Sequence, residues 1–134
     1  MVKRMFKFKI VVILIVILFY SFIWKVGQPV EIVATHNKSV ILVNNFPFFK
    51  SWQINWWEIN KEKIHKKYGI PETYRDGSFG VVIHDFGNGY REDRWIDQDS
   101  DLLCFDDMQM KKNCIKKKIL MTINKYKESK IYYR

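Results

Sequence analysis

The first thirty positions of this 134-residue chain contain no acidic residue. Four cations instead precede a long apolar run: Lys3, Arg4, Lys7 and Lys9. The run extends from Ile10 to Tyr20 and continues to Trp24. Basic residues next to an apolar helix are retained on the cytoplasmic side during membrane insertion. The sequence therefore predicts a helix in a bacterial inner membrane, with the following chain on the periplasmic face.

Small residues are also scarce at the end of the apolar run. A cleavable signal needs them just before the cut, but Phe22 to Val26 contains none and only Gly27 is nearby. The stretch from Ile10 to Trp24 would span about 22 Å as a helix, less than a bilayer core of about 30 Å, which favours a cleaved signal. Phe6 and Phe8 lengthen the apolar face. We therefore expect an uncleaved anchor over residues 6–26, with a cleaved signal or a buried soluble helix as alternatives.

The distribution of charge and apolar residues divides the chain into two regions. Residues 1–27 are predicted to be a cytoplasmic basic stub and a transmembrane anchor, and residues 28–134 one periplasmic domain. The overall net charge is +9, but residues 76–107 carry −7 and residues 108–134 carry +8. The net positive charge does not indicate nucleic-acid binding. Part of it belongs to the cations that set the topology of the membrane helix, and the rest is divided between an acidic and a basic segment. The predicted compartment also contains no nucleic acid.

Cysteine is limited to two residues, Cys104 and Cys114, both in the exported part. In an oxidising compartment such a pair is most simply a disulfide. A zinc site would need further ligands at suitable spacing, and the three histidines are scattered, at positions 36, 65 and 84. A metal site and a pair of free or redox-active thiols are the weaker alternatives. No metal or cofactor is predicted.

The exported part predicts an α+β fold of short antiparallel strands and one main helix. Two strands, 30–35 and 39–44, flank a tight hairpin connection without glycine. The helix covers 51–68, with Ser51 as N-cap and Gly69 as C-cap. Trp57, Ile64 and Tyr68 share one helix face, beside a stripe that contains Trp56. The tryptophan pair is expected in the core, with a ligand-stacking platform as the alternative.

The later strands are predicted from alternation and turn signals. Residues 79–83 alternate as a strand, Gly87-Asn88-Gly89 predicts a hairpin turn, and 90–96 is the expected return strand. Residues 102–105 form a further short apolar segment, and two late strands are predicted at 119–123 and 130–133.

Two acidic constellations resemble chemical sites. The alternating carboxylates of 97–101 resemble a calcium loop, but Leu102 and Met108 occupy positions that need glycine and glutamate. Asp106-Asp107 together with His84-Asp85 offers acid and base groups. Because no nucleophile motif, phosphate cradle or oxyanion signature accompanies them, no catalytic residue is predicted and the chain is expected not to be an enzyme.

The order of these segments resembles a family of single-pass membrane proteins from enteric Gram-negative bacteria, known as domain of unknown function nine-four-three. The matching strings cover nearly the whole chain, and two of them are specific: Asn55-Trp56-Trp57 and Cys104-Phe105-Asp106-Asp107-Met108. The resemblance implies an inner-membrane protein and brings no established activity.

Two classes of function remain open. The first is a non-enzymatic protein-binding module, in its sharper form an immunity protein against a toxin from competing bacteria. The second is an envelope enzyme or an accessory subunit of an inner-membrane complex. A charged surface speeds capture of an oppositely charged partner. The candidate partner-binding residues are therefore mostly acidic: Asp97, Asp99, Asp101, Asp106, Asp107 and Trp56.

Overall fold

The structure is a computed structural model that describes residues 2–96 and 101–134. Two helices and seven strands follow in chain order, and their bounds are α1 Val2–Val26, β1 Glu31–His36, β2 Val40–Asn44, α2 Lys50–Tyr68, β3 Phe79–Asp85, β4 Leu102–Cys104, β5 Cys114–Lys116, β6 Ile119–Lys125 and β7 Ile131–Tyr133. The predicted α+β class, with an N-terminal apolar helix, is confirmed.

Helix α1 is longer than its apolar run. It includes the leading cations and extends for 25 residues, about 37 Å at about 1.5 Å per residue. This length is sufficient for a bilayer core of about 30 Å. The rest of the described chain covers none of the most apolar stretch of this helix. A helix in a soluble core would be covered, so α1 is a candidate membrane span.

The main sheet has five strands in the order β1-β2-β3-β6-β7. Its β1–β2, β3–β6 and β6–β7 pairs are antiparallel, whereas β2 and β3 are parallel. Helix α2 connects β2 to β3 and returns the chain to the starting end, which is how adjacent parallel strands are joined. The expected return strand at 90–96 is wrong, because β2 and β6 already occupy both edges of β3. That segment contributes only one isolated bridge, between Arg91 and Cys114.

The β1–β2 hairpin forms without glycine. Asn37 and Lys38 both adopt a left-handed backbone, with φ of 54° and 56°. The Ser39 amide donates to the His36 carbonyl at 3.2 Å. Two consecutive left-handed residues define a type I′ turn, whose twist suits a hairpin. Asparagine tolerates this conformation better than most residues.

Helix α2 covers one face of the sheet. It begins one residue before the predicted start, after Phe49 rather than at a Ser51 cap, and ends at Gly69 with φ of 71°. The buried residues of this layer are Ile41, Val43, Trp57, Ile64, Ile70, Val81, Ile83, Met121 and Ile123. The helix face predicted from Trp57 and Ile64 is therefore confirmed.

A second, smaller layer covers the opposite sheet face. Strands β4 and β5 form a two-stranded antiparallel sheet. Phe105 and Ile115 are buried together with Leu42 of β2, which points away from the α2 layer. The disulfide between Cys104 and Cys114 joins directly opposed residues of β4 and β5. The predicted pair therefore lies at disulfide distance in the structure, where the bond closes the hairpin that makes this layer.

Candidate functional site

The acidic residues predicted to bind a partner have different environments. Asp97 and Asp99 lie outside the described residues. Asp101 and Asp106 are exposed, at the two ends of the segment that contains β4. Within the described chain, neither carboxylate takes part in an ion pair or a side-chain hydrogen bond. These two side chains are therefore available to an external partner.

Asp107 is instead part of an internal network. His36 Nδ1 lies 2.9 Å from both carboxylate oxygens of Asp107. His36 Nε2 lies 2.8 Å from the Tyr90 hydroxyl. The imidazole stacks on Phe105 at 3.8 Å between ring centres, with an angle of 8° between the ring planes. The network therefore connects the end of β1 to the loop after β3 and to the loop after β4.

The carboxylate, imidazole and hydroxyl of Asp107, His36 and Tyr90 are arranged like an acid–base relay. The electrostatic environment of Tyr90, however, does not activate its hydroxyl as a nucleophile. Burial raises the pKa of the Tyr90 hydroxyl, and the negative charge of Asp107 raises it further. An activated nucleophile needs a lowered pKa or a base that removes its proton. Tyr90 therefore keeps its proton and can donate it to His36 Nε2 when Nδ1–H donates to Asp107. We interpret the network as a clamp that holds the second layer on the sheet.

Sequence reasoning missed this network. It grouped Asp107 with His84 and Asp85, whereas the structure pairs Asp107 with His36, 71 positions away. Asp85 Oδ2 lies 3.8 Å from Lys118 Nζ. No local pattern in the sequence signals this contact, because residues 71 positions apart are brought together only by the tertiary fold.

His84 is buried on the second face of the sheet and is 3% exposed. Its Nδ1 atom has no hydrogen-bond partner among the described residues. Burial lowers the pKa of His84, and the positive charge of Lys117 lowers it further. The folded protein therefore favours the neutral imidazole.

We expect this histidine to make the domain acid-sensitive. The unfolded chain binds the proton near the usual histidine pKa of about 6.5, and the folded chain binds it only at lower pH. The free energy of unfolding should therefore fall as pH drops from about 6.5 to the lowered pKa, with a slope of up to about 1.4 kcal/mol per pH unit. Urea unfolding of the full chain in detergent at several pH values measures this slope.

His84→Leu should flatten the pH dependence, because it removes the group that titrates. His65→Leu is the matched control, since His65 is exposed on α2 and should leave the slope unchanged. Equal slopes in the wild type and His84→Leu would refute the assignment to His84.

The acidic and basic segments meet at the disulfide hairpin, as predicted. Leu102 lies opposite Lys116, and the Lys117 amide donates to the Asp101 carbonyl at 2.9 Å. This contact is through the backbone. Among the residues that the structure describes, no ion pair reaches the Asp101 carboxylate.

The two tryptophans of α2 do not form a shared platform. Trp57 is 2% exposed in the core, while Trp56 is partly buried and meets Phe46 edge to face at 5.3 Å. An open groove of about 270 Å³ adjoins Trp56 and is also lined by Asn60, Lys63 and Lys67. Trp56 alone therefore stays a candidate contact residue.

Metal binding has no support in the described residues, where no group of three histidine, cysteine or acidic side chains is close enough to hold an ion. The predicted resemblance to a calcium loop concerns 97–101, of which only Asp101 is described.

One family model matches this chain, and it covers residues 2–134. Its description is "Enterobacterial putative membrane protein (DUF943)". No curated protein matches the chain, and no solved structure matches it. The matched range includes both α1 and the whole of the domain that follows it.

Proposed function

This chain belongs to the DUF943 family of enterobacterial membrane proteins, and from that premise we propose that it is a binding protein at the periplasmic face of the inner membrane. The observation that carries the proposal is the pair of exposed carboxylates of Asp101 and Asp106, which have no ion-pair partner among the residues that the structure describes. They lie in a segment of net charge −7. Unneutralised charge of one sign attracts an oppositely charged partner and raises its rate of association.

Among the described residues, the two carboxylates with a shifted pKa, Glu58 and Asp76, both shift downward. Hydrogen bonds from Lys61 and then Tyr133 lower the pKa of Glu58, and hydrogen bonds from Ser78 lower the pKa of Asp76. A general acid at neutral pH needs a raised pKa. These carboxylates are therefore suited to charge pairing and to turn formation.

In its sharper form, the proposal makes the partner a cationic toxin delivered by competing bacteria, which the domain captures at the membrane. A small domain with a disulfide on a membrane anchor suits this task, because it stays folded outside the cytoplasm and concentrates at the surface that the toxin reaches. Cells that lack the gene would then be killed by their own toxin-producing parent in dense mixed culture.

We expect the deletion strain to decline in that culture and the wild-type gene to rescue it. Asp101→Asn with Asp106→Asn should rescue less well, and the deficit should shrink as salt screens the attraction over about 10 Å at 0.1 M. Glu62→Gln with Glu128→Gln is the matched control, because both residues are exposed outside the acidic segment. Equal survival of the deletion strain and its parent would remove the immunity function.

Binding itself is tested separately by a photo-crosslinking residue at position 106 in living cells, with position 128 as the control. A discrete protein adduct from 106 alone is expected. Absence of any adduct at 106 would contradict the binding proposal.

A further inference from the structure

The chain topology brings one end of the domain close to the membrane. Helix α1 ends at Val26 and β1 begins at Glu31. The five residue steps between them span at most about 18 Å, because an extended chain covers about 3.6 Å per residue. Glu31 lies opposite Asn44, the last residue of β2. The end of the sheet where β2 finishes is therefore the membrane-proximal end.

The chain that leaves β2 at this end carries an exposed aromatic cluster. The cluster consists of Phe48, Phe49 and Trp52, at the start of α2. Phe48 is 88% exposed and the other two are about half exposed. The ring centres of Phe48 and Phe49 lie 5.6 Å apart, and those of Phe49 and Trp52 lie 4.9 Å apart. Contiguous exposed apolar surface of this kind marks an interaction site in a folded domain.

Phe49 also occupies a position where another residue would stabilise the helix. It is the N-cap of α2 and makes no side-chain hydrogen bond to the helix. Serine, threonine, asparagine or aspartate at this position would stabilise the helix, because its side-chain oxygen would accept a hydrogen bond from a free backbone amide of the first turn. The aromatic side chain therefore has a cost to folding that contact with another surface can offset.

Cations surround the same end. Lys25 lies in the last turn of α1, and Lys50 is the first residue of α2. Strand β3 ends at Asp85, and the Asp85 amide donates to the Lys118 carbonyl at 3.0 Å. The exposed residues Lys116 to Lys118 therefore lie beside the membrane-proximal end. Aromatic rings with basic side chains around them match the interfacial region of a bilayer that contains anionic lipid.

We propose that the aromatic cluster inserts into the headgroup region of the bilayer that α1 crosses, with Lys50 and Lys116 to Lys118 near the lipid phosphates. The domain then has a fixed orientation on the membrane. The opposite end of the sheet, with the Asn37–Lys38 turn and Tyr126, faces away from the lipid. The inference rests on the anchoring role of α1 in the proposed function.

The test uses the full chain in nanodiscs of phosphatidylcholine with phosphatidylglycerol. Both native cysteines are in the disulfide, so a cysteine introduced at Phe48→Cys is a single site for a nitroxide label. Tyr126→Cys is the matched control, an exposed aromatic position just after the distal end of β6. Leu14→Cys reports separately whether α1 lies in the bilayer.

Collisions of each label with oxygen and with a water-soluble nickel chelate measure its depth. We expect nickel collisions several-fold lower at position 48 than at position 126, with oxygen collisions raised. Adding Phe49→Ser and Trp52→Ser should expose the label at position 48 to water, while the label at position 14 stays in the bilayer. Trp52→Cys repeats the measurement if the Phe48→Cys protein does not fold.

An aqueous label at position 48 with position 14 in the bilayer would overturn this inference and leave the anchor intact. An aqueous label at position 14 would overturn both the insertion of the aromatic cluster and the anchoring role of α1.

Discussion

Trp57→Ala is expected to lower the free energy of unfolding by about 3–5 kcal/mol, the usual loss for a large aromatic removed from a core. Trp57 is one of the largest fully buried side chains in the structure. It is buried in the cluster between α2 and the sheet, and its removal leaves a cavity that the surrounding side chains fill only in part. Urea unfolding of the full chain in detergent, followed by circular dichroism, measures the loss.

Trp52→Ala is the matched control, since it makes the same replacement on the same helix at a half-exposed position. We expect its loss to be much smaller, because little buried surface disappears. Similar losses for the two variants would mean that α2 does not pack on the sheet through Trp57.

Cys114→Ala is expected to lower the free energy of unfolding by about 2–4 kcal/mol. The disulfide closes a loop with a sequence separation of 10, and restricting an unfolded loop of that size contributes roughly 2.5–3 kcal/mol in the chain-entropy account. Cys114 is also fully buried beside Ile115, whereas Cys104 is exposed.

Cys104→Ala is therefore the informative companion variant. It breaks the same bond but removes no buried side chain, so its loss should be somewhat smaller than that of Cys114→Ala. Mass analysis of unreduced protein should show one hydrogen missing from each thiol. Two free thiols in protein purified from the native host without reductant would contradict the disulfide.

The parts of the fold that depend on local sequence could be predicted. The faces of α2, its end at Gly69 and the strands β1, β2, β6 and β7 follow from periodicity and turn residues. The cysteine pair at disulfide distance could be predicted from the expectation of an oxidising compartment and from the presence of only two cysteines. The helix and strand features depend on residues close in sequence, and two cysteines allow only one intramolecular pairing.

The parts that depend on distant contacts could not be predicted. Gly87-Asn88-Gly89 has the composition of a hairpin turn, yet β3 pairs with β2 and β6 because burial against α2 and the second layer determines its neighbours. The bond from His36 to Asp107 joins positions that no local pattern connects. The position of Phe48, Phe49 and Trp52 at the end of the sheet closest to α1 follows from the register of β1 and β2, which the local sequence does not show.

The account depends most on the position of the domain relative to the membrane. Two fusions after Arg134 test this position directly, one to a phosphatase that is active only after export and one to a fluorescent protein that folds only in the cytoplasm. We expect activity from the phosphatase fusion alone, in the membrane fraction, with the N-terminal residues retained. A soluble periplasmic product that begins near Gln28, or fluorescence from the second fusion, would contradict the anchored, periplasm-facing arrangement.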